Sequence, residues 1–178
     1  MMMIGIAHMA EMGLLTSVAA PLIAAQPRRG RWRWMDALTP PATPTFLGFL
    51  LLHAVIVLAM AYGLVPGVWN QPAHGLLLAA SVLFWLPVLG TRRRISDPAR
   101  TVYLFLSMPP LDLPAVWVIA RGDAPGGLAM IVAMMPVGLT AIVVTVRWMR
   151  REEALADQIA DGADDHRAPA PLHGREVT

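Results

Sequence analysis

The first apolar segment of the chain contains a histidine and two methionines at helical spacing. His8 and Met12 are four residues apart, so they share one face of a helix, and Met9 lies one residue farther round from His8. Imidazole and thioether groups form a soft ligand set that suits Cu(I), and a thioether needs no deprotonation before it binds the ion. The alternative is that the methionines pack a hydrophobic core and that His8 makes an ordinary polar contact.

A further ligand for such a site comes from a later apolar segment. His74 begins the third segment, on the side of the membrane where we also expect His8. Depth along the two helices therefore permits His8, Met12 and His74 to meet. The predicted metal ligands are His8, Met12, His74 and Met9. Glu11 lies three residues from His8, and we expect it to attract a cation toward the site.

Two more polar groups lie inside apolar segments. His53 lies in the second segment, where a heme ligand is conceivable, but no other histidine has a matching depth. A hydrogen bond to a neighbouring helix is therefore the favoured interpretation of His53. Asp112 lies in a proline-rich stretch of the fourth segment, where it could pair with Arg121. A structural role is favoured for it, because Glu11 and Asp112 alone form no chain of proton-relay groups.

The composition determines which kind of fold must position these residues. The chain has 178 residues, of which 56% are hydrophobic and 15% are charged, whereas a soluble domain has about 25% charged residues. The apolar residues form blocks of about 20, the length that crosses a bilayer. We therefore predict an all-α integral membrane protein, a bundle of about five transmembrane helices. The chain has no cysteine, which excludes disulfides, thiolate metal sites and cysteine nucleophiles, and no catalytic motif is evident, so we expect no enzyme activity.

The predicted transmembrane domain covers residues 1–150. Its predicted spans are 4–25, 46–65, 74–90, 101–120 and 126–146. A cleaved signal peptide is the alternative for the first span, but no basic region precedes it. The fourth span contains Pro109, Pro110 and Pro114, so we expect it to be kinked or broken. Residues 151–178 are predicted to form a charged cytoplasmic tail that is disordered.

Arginines alternate between successive loops. The four loops between spans contain four, none, four and one arginine, and Arg147, Arg150 and Arg151 follow the last span. The positive-inside rule then places the N-terminus outside and the C-terminus in the cytoplasm of a bacterial plasma (inner) membrane. These arginines are predicted to set topology and to anchor lipid headgroups, and we expect no nucleic-acid partner.

The order of these motifs resembles the CtaG-type cytochrome c oxidase assembly factors. Residues 8–12 (HMAEM) and 19–22 (AAPL) are similar to the family's His-Met-x-x-His-Met start and the Ala-Pro-Leu segment that follows it. Two later helices of the family and its last span are also similar to parts of this chain. These parts are 72–90 (PAHGLLLAASVLFWLPVLG), 100–110 (RTVYLFLSMPP) and the last span with 147–150 (RWMR).

The resemblance covers roughly residues 8–153 and implies a membrane protein that takes part in inserting copper into heme–copper oxidases. Carried over by position, His8 matches the first histidine of the opening motif, and His74 matches the second histidine of the third span. Met12 and Asn70 stand where the family has its other two histidines.

Three functions are consistent with these features. A copper-handling assembly factor would hold Cu(I) at the outer face and pass it to an oxidase subunit. A relative that has lost the site would be an accessory or structural subunit of a respiratory membrane complex, which the missing histidines favour. A small transporter or a heme-binding subunit is a third alternative, weakened by the absence of paired histidines and of repeats. The expected partners are subunits of a heme–copper oxidase or another respiratory complex, and the lipid bilayer.

Overall fold

A computed structural model of the chain describes residues 6–26, 40–90 and 94–165, and side chains as far as residue 160. Five helical segments in this part are long and apolar enough to cross a membrane. They are Ile6–Ala25, Ala42–Ala61, Gly67–Leu89, Asp97–Ala120 and Ala124–Ala160. No strand occurs among the described residues. The predicted all-α fold with five helices long and apolar enough to span a membrane is therefore confirmed in the described part of the chain, while the side of the membrane on which each terminus lies stays a prediction.

We number the helices in chain order. They are α1 (Ile6–Leu14), α2 (Ala20–Ala25), α3 (Ala42–Ala61), α4 (Asn70–Leu89), α5 (Asp97–Ala120) and α6 (Ala124–Asp165). A single π-helical turn, Leu15–Ala19, joins α1 to α2, and the three together make the first span. A short 3-10 turn, Gly67–Trp69, precedes α4.

Three helices begin earlier than the hydropathy pattern predicts. α3 begins at Ala42, four residues before the predicted start, and α4 and α5 also begin four residues early. In each case a proline (Pro44, Pro72 or Pro98) lies in the first turn. The first N–H groups of a helix have no intrahelical acceptor, so proline costs nothing there. These prolines therefore belong to helices and not to loops.

α5 is a single helix through Pro109, Pro110 and Pro114, so the fourth span is not broken. Proline is tolerated in a membrane helix where side chains and neighbouring helices compensate for the lost hydrogen bonds. α5 packs against both α3 and α6. Packing on two sides thus holds this proline-rich segment helical.

α6 continues as a helix to Asp165, well beyond the predicted end of the fifth span. Residues 147–160 include many strong helix formers (Arg, Glu, Ala, Leu) and contain neither glycine nor proline. The helix therefore extends into the region predicted to be a disordered tail. Residues 166–178, where the rest of that tail was predicted, lie outside the described residues.

The helices pack through small residues. α6 lies against α1 and α5, α2 lies against α4, and α3 contacts both α4 and α5. A methyl group added to Gly13 would lie 2.6 Å from the side chain of Ala133, and one added to Gly127 would lie 2.6 Å from the Ala115 carbonyl oxygen. Glycine at these two positions permits α6 to approach α1 and α5 closely, as is common in membrane bundles.

The π-helical turn in the first span follows from Pro21. In this turn the Ala20 N–H donates to the Leu15 carbonyl, one residue farther back than in an α-helix. In the same pattern, the Thr16 carbonyl would accept a hydrogen bond from the N–H of residue 21, but this residue is Pro21, which has no N–H. The Thr16 carbonyl therefore has no donor within its own helix. The indole Nε1 of Trp85 on α4 supplies one at 2.9 Å and so fastens the first span to α4.

Candidate metal-binding site

His8, Glu11 and His74 converge at one end of the bundle. Each offers a ligand atom, and these three atoms lie within 4.8 Å of one another. The two imidazole rings meet edge to face, with their centroids 4.8 Å apart and their planes at 82°. The sequence predicts that His8 and His74 share one depth in the membrane, and the structure brings these two side chains into contact.

The register between the first span and α4 positions the two histidines. Thr16 lies eight residues after His8, and Ser81 lies seven residues after His74. The Ser81 hydroxyl donates to Thr16 Oγ1 at 3.3 Å, and Trp85 binds the Thr16 carbonyl one turn farther along α4. At a rise of about 1.5 Å per residue, each histidine lies about 11 Å before this contact along its own helix. The two histidines therefore lie at the same level in the bundle.

The hydrogen bond of His74 leaves one ring nitrogen available as a ligand. Its Nδ1 lies 2.7 Å from the Asn70 carbonyl oxygen. A carbonyl oxygen only accepts, so Nδ1 carries a proton, and in the neutral imidazole Nε2 then has the lone pair. Nε2 is buried and has no hydrogen-bond partner among the described residues. Metal-binding histidines are commonly oriented in this way, by a backbone carbonyl on the nitrogen that does not bind the ion.

The three residues of the site differ in how exposed their side chains are. His74 is 7% exposed, whereas His8 is half-buried and Glu11 is exposed. An ion would therefore contact a buried imidazole on one side and an exposed carboxylate on the other.

The two methionines predicted as ligands lie in the core of the bundle. Met9 and Met12 are both fully buried in the hydrophobic cluster around α1. Their role as thioether ligands stays a prediction. The sequence predicts that Glu11 attracts a cation. In the structure, a carboxylate oxygen of Glu11 lies within 4.8 Å of a ring nitrogen of each histidine, so the three residues could share one metal ion. Its position three residues after His8 is the signal that places it on the same face of α1.

The ligand set determines which ions fit. Two imidazoles and a carboxylate suit Zn²⁺ or Cu²⁺. Two imidazoles with a thioether suit Cu(I), because sulfur is a soft ligand. The three residues that converge thus form a set suited to a divalent ion, and a Cu(I) set would need one of the methionines as well.

His53 does not fulfil its prediction. It is fully buried on α3, and neither ring nitrogen has a hydrogen-bond partner among the described residues. The ring of Phe49 lies beside it, with centroids 5.9 Å apart. The expected interhelical hydrogen bond is therefore absent from the described part of the chain.

Asp112 and Arg121 make separate contacts, not the ion pair suggested by their depth. The Arg121 guanidinium lies over the rings of Trp117 and Tyr62, at 5.2 and 5.7 Å from their centroids. Trp117 Nε1 also donates to the Tyr62 hydroxyl at 2.8 Å. Asp112 lines a separate cavity of about 230 Å³, together with methionines of α5 and α6. Arg121 therefore belongs to an aromatic cluster at the helix ends.

No known protein family, curated protein or solved structure matches this chain. The similarity to CtaG-type factors therefore depends only on the order of the motifs quoted above.

Proposed function

We propose that this chain binds a copper ion between His8 and His74 and delivers it during assembly of a heme–copper oxidase in a bacterial plasma membrane. The contact between these two imidazoles is the observation that carries the proposal. Two further observations support the proposal. The His74 Nε2 is buried and has no hydrogen-bond partner among the described residues, and a carboxylate oxygen of Glu11 lies within 4.8 Å of both imidazoles' ligand atoms. A buried nitrogen with no partner is costly unless something binds it, and a metal ion would do so.

Copper is favoured over zinc by the residues next to the site. Met9 and Met12 are next to His8 and Glu11 in the sequence, and a thioether is a soft ligand that suits Cu(I). Neutral imidazoles and thioethers bind Cu(I) without a thiolate, so a cysteine-free chain can still hold this ion. The exposed side at Glu11 leaves a path for transfer to a partner.

The remaining support for oxidase assembly comes from sequence patterns. The motif order resembles the CtaG-type factors, and the arginine distribution predicts that the His8–His74 end faces the outside. A protein with this role makes and breaks no covalent bonds of a substrate, so we propose a copper-handling partner of an oxidase subunit and not an enzyme.

Titration with Cu(I) under reducing conditions, against a competing chelator and in detergent, tests the proposal. We expect one bound ion for the wild type, and an affinity at least about tenfold lower for His8→Ala and for His74→Ala, since each removes a ligand. Met135→Leu is the matched control, because Met135 is an exposed methionine on α6 and its replacement should leave the affinity unchanged.

Wild-type binding no tighter than that of the His8→Ala, His74→Ala double variant would overturn the metal site. The alternative function would then be an accessory subunit of a respiratory complex. Co-purification with an oxidase is expected of both functions, so the metal titration is the measurement that separates them.

A further inference from the structure

A second polar site lies at the opposite end of the bundle, where α5 begins beside α6. Four arginines and one aspartate line a cavity of about 90 Å³ there, together with Val144 and Trp148. The charged residues are Arg94, Asp97, Arg100, Arg147 and Arg151. We call this group the arginine cavity. It shares no residue with the His8–His74 site.

Asp97 is the centre of the arginine cavity and is shared by three guanidinium groups. Its Oδ1 accepts hydrogen bonds from Arg94 and Arg100, both at 2.7 Å, and its Oδ2 accepts one from Arg151 at 2.6 Å. One negative charge therefore faces four positive charges. The nearby Glu152 accepts a hydrogen bond from the Trp148 indole at 3.0 Å, and no ion pair joins it to these arginines among the described residues. The cavity has a strong excess of positive charge.

Two groups in the cavity have donors left over. Arg100 is 8% exposed, and its buried Nε has no hydrogen-bond partner among the described residues. Arg147 is exposed and forms no ion pair in the part of the chain that the structure describes. Arginine stays charged under all ordinary conditions, so a buried guanidinium with an unused donor favours an anion close to it.

We propose that the arginine cavity binds the phosphate group of an anionic lipid headgroup. Guanidinium groups match phosphate oxygens in geometry and bind them with charge-assisted hydrogen bonds. The cavity opens at the end of two membrane-spanning helices, next to the apolar surface of α6, so the acyl chains would lie along Val143 and Val146, which are both exposed. The amino end of α5 adds a partial positive charge. Basic pockets between helices at this level of a membrane commonly hold lipid phosphates.

The arrangement also explains why one carboxylate accompanies four arginines. Asp97 holds Arg94, Arg100 and Arg151 in fixed positions through its two oxygens. The Arg147 guanidinium, which no carboxylate binds in the described part of the chain, then remains for the ligand. Thr145 on α6 also donates to Thr101 on α5 at 3.2 Å, which fixes the two walls of the cavity relative to one another.

Native mass spectrometry of the full-length protein in a zwitterionic detergent tests this site. Dioctanoyl phosphatidylglycerol is titrated, with dioctanoyl phosphatidylcholine and inorganic phosphate as the other two arms. We expect one saturable phosphatidylglycerol adduct, and about tenfold weaker binding for Arg147→Gln, because one charge-assisted contact is lost. Arg147 is exposed, so this variant should fold normally; Arg100→Gln provides a second variant at the buried position.

Arg150→Gln is the matched control, since Arg150 is an exposed arginine on the same helix but does not line the cavity. Equal losses for Arg147→Gln and Arg150→Gln would overturn the proposal, since they would indicate only a diffuse attraction to positive charge. Equal binding of phosphatidylglycerol and phosphatidylcholine would also overturn it. Inorganic phosphate that binds with the same dependence on Arg147, while phosphatidylglycerol forms no adduct, would assign the cavity to a free anion and reject the lipid.

Discussion

At the scale of single residues, the identity of the bound metal depends on which side chain joins His8 and His74. A carboxylate oxygen of Glu11 lies within 4.8 Å of a ring nitrogen of each histidine. Met12 lies on the same face of α1 as His8. A carboxylate is a hard ligand and favours a divalent ion, whereas a thioether is soft and favours Cu(I). The two residues should therefore act on different ions.

Replacement of each residue separates the two possibilities. We expect Met12→Leu to weaken Cu(I) binding by about tenfold and to leave Zn²⁺ binding nearly unchanged, while Glu11→Gln does the opposite. The ratio of the Cu(I) and Zn²⁺ dissociation constants, measured for both variants by chelator competition, gives the answer. If Met12→Leu leaves the Cu(I) affinity unaltered, Met12 is a core residue and the thioether is not a ligand.

The sequence was sufficient to predict that His8 and His74 could meet, because depth in a membrane follows from the position in a span. It was insufficient for His53. Whether a buried histidine finds a partner depends on the rotation of its helix and on the neighbours it meets. α3 is apolar on all sides, so no amphipathic face indicates which way His53 points.

At the scale of helices, the bond between Trp85 and the Thr16 carbonyl joins the first span to α4. Trp85→Phe keeps most of the ring but removes the donor, and it leaves a buried carbonyl without a partner. We expect a loss of about 1–3 kcal/mol in the free energy of unfolding. Thermal unfolding in detergent measures it, with Trp69→Phe as the control because Trp69 is exposed.

The same variant should also weaken metal binding, since this bond helps to fix the register that brings the two histidines together. A destabilised Trp85→Phe protein with unchanged metal affinity would show that the ends of the helices hold the site without this contact.

Close approach of α5 and α6 depends on Gly127. A methyl group there would lie 2.6 Å from the Ala115 carbonyl oxygen, and backbone cannot move aside as easily as a flexible side chain. We expect Gly127→Ala to destabilise the bundle by about 1–3 kcal/mol through overpacking. Gly75→Ala is the control, since nothing lies within 4 Å of a methyl group at that position. Equal unfolding temperatures for the two variants would contradict this account.

The helix boundaries show which local features were predictable. The five spans followed from hydropathy alone, because an apolar block of about 20 residues matches the thickness of a bilayer. The starts of α3, α4 and α5 were predicted four residues too late, because hydropathy marks the apolar part of a helix and does not reveal a polar, proline-containing first turn. The π-helical turn before Pro21 was not predicted from the sequence. Its partner Trp85 could not be identified either, because that contact depends on how the first span packs against α4.

At the scale of the whole molecule, the two sites lie at opposite ends of the bundle. The histidine site is at the end where the first span and α4 begin, and the arginine cavity is at the end where α5 begins. Since α4 and α5 are consecutive spans, their starting ends face opposite sides of the membrane. The arginine distribution predicts that the metal site faces outward and that the lipid site faces the cytoplasm.

The absence of cysteine from the chain makes this topology directly testable, because every introduced cysteine is unique. Val68 is 79% exposed near the start of α4, and Ile159 is 73% exposed in the distal part of α6. In intact cells, a membrane-impermeant maleimide should label Val68→Cys and should label Ile159→Cys only after lysis. The reverse pattern would place the histidine site in the cytoplasm. Copper held there could not be handed to an oxidase subunit from the outer face, so the proposed delivery would fail even if the metal site itself were real.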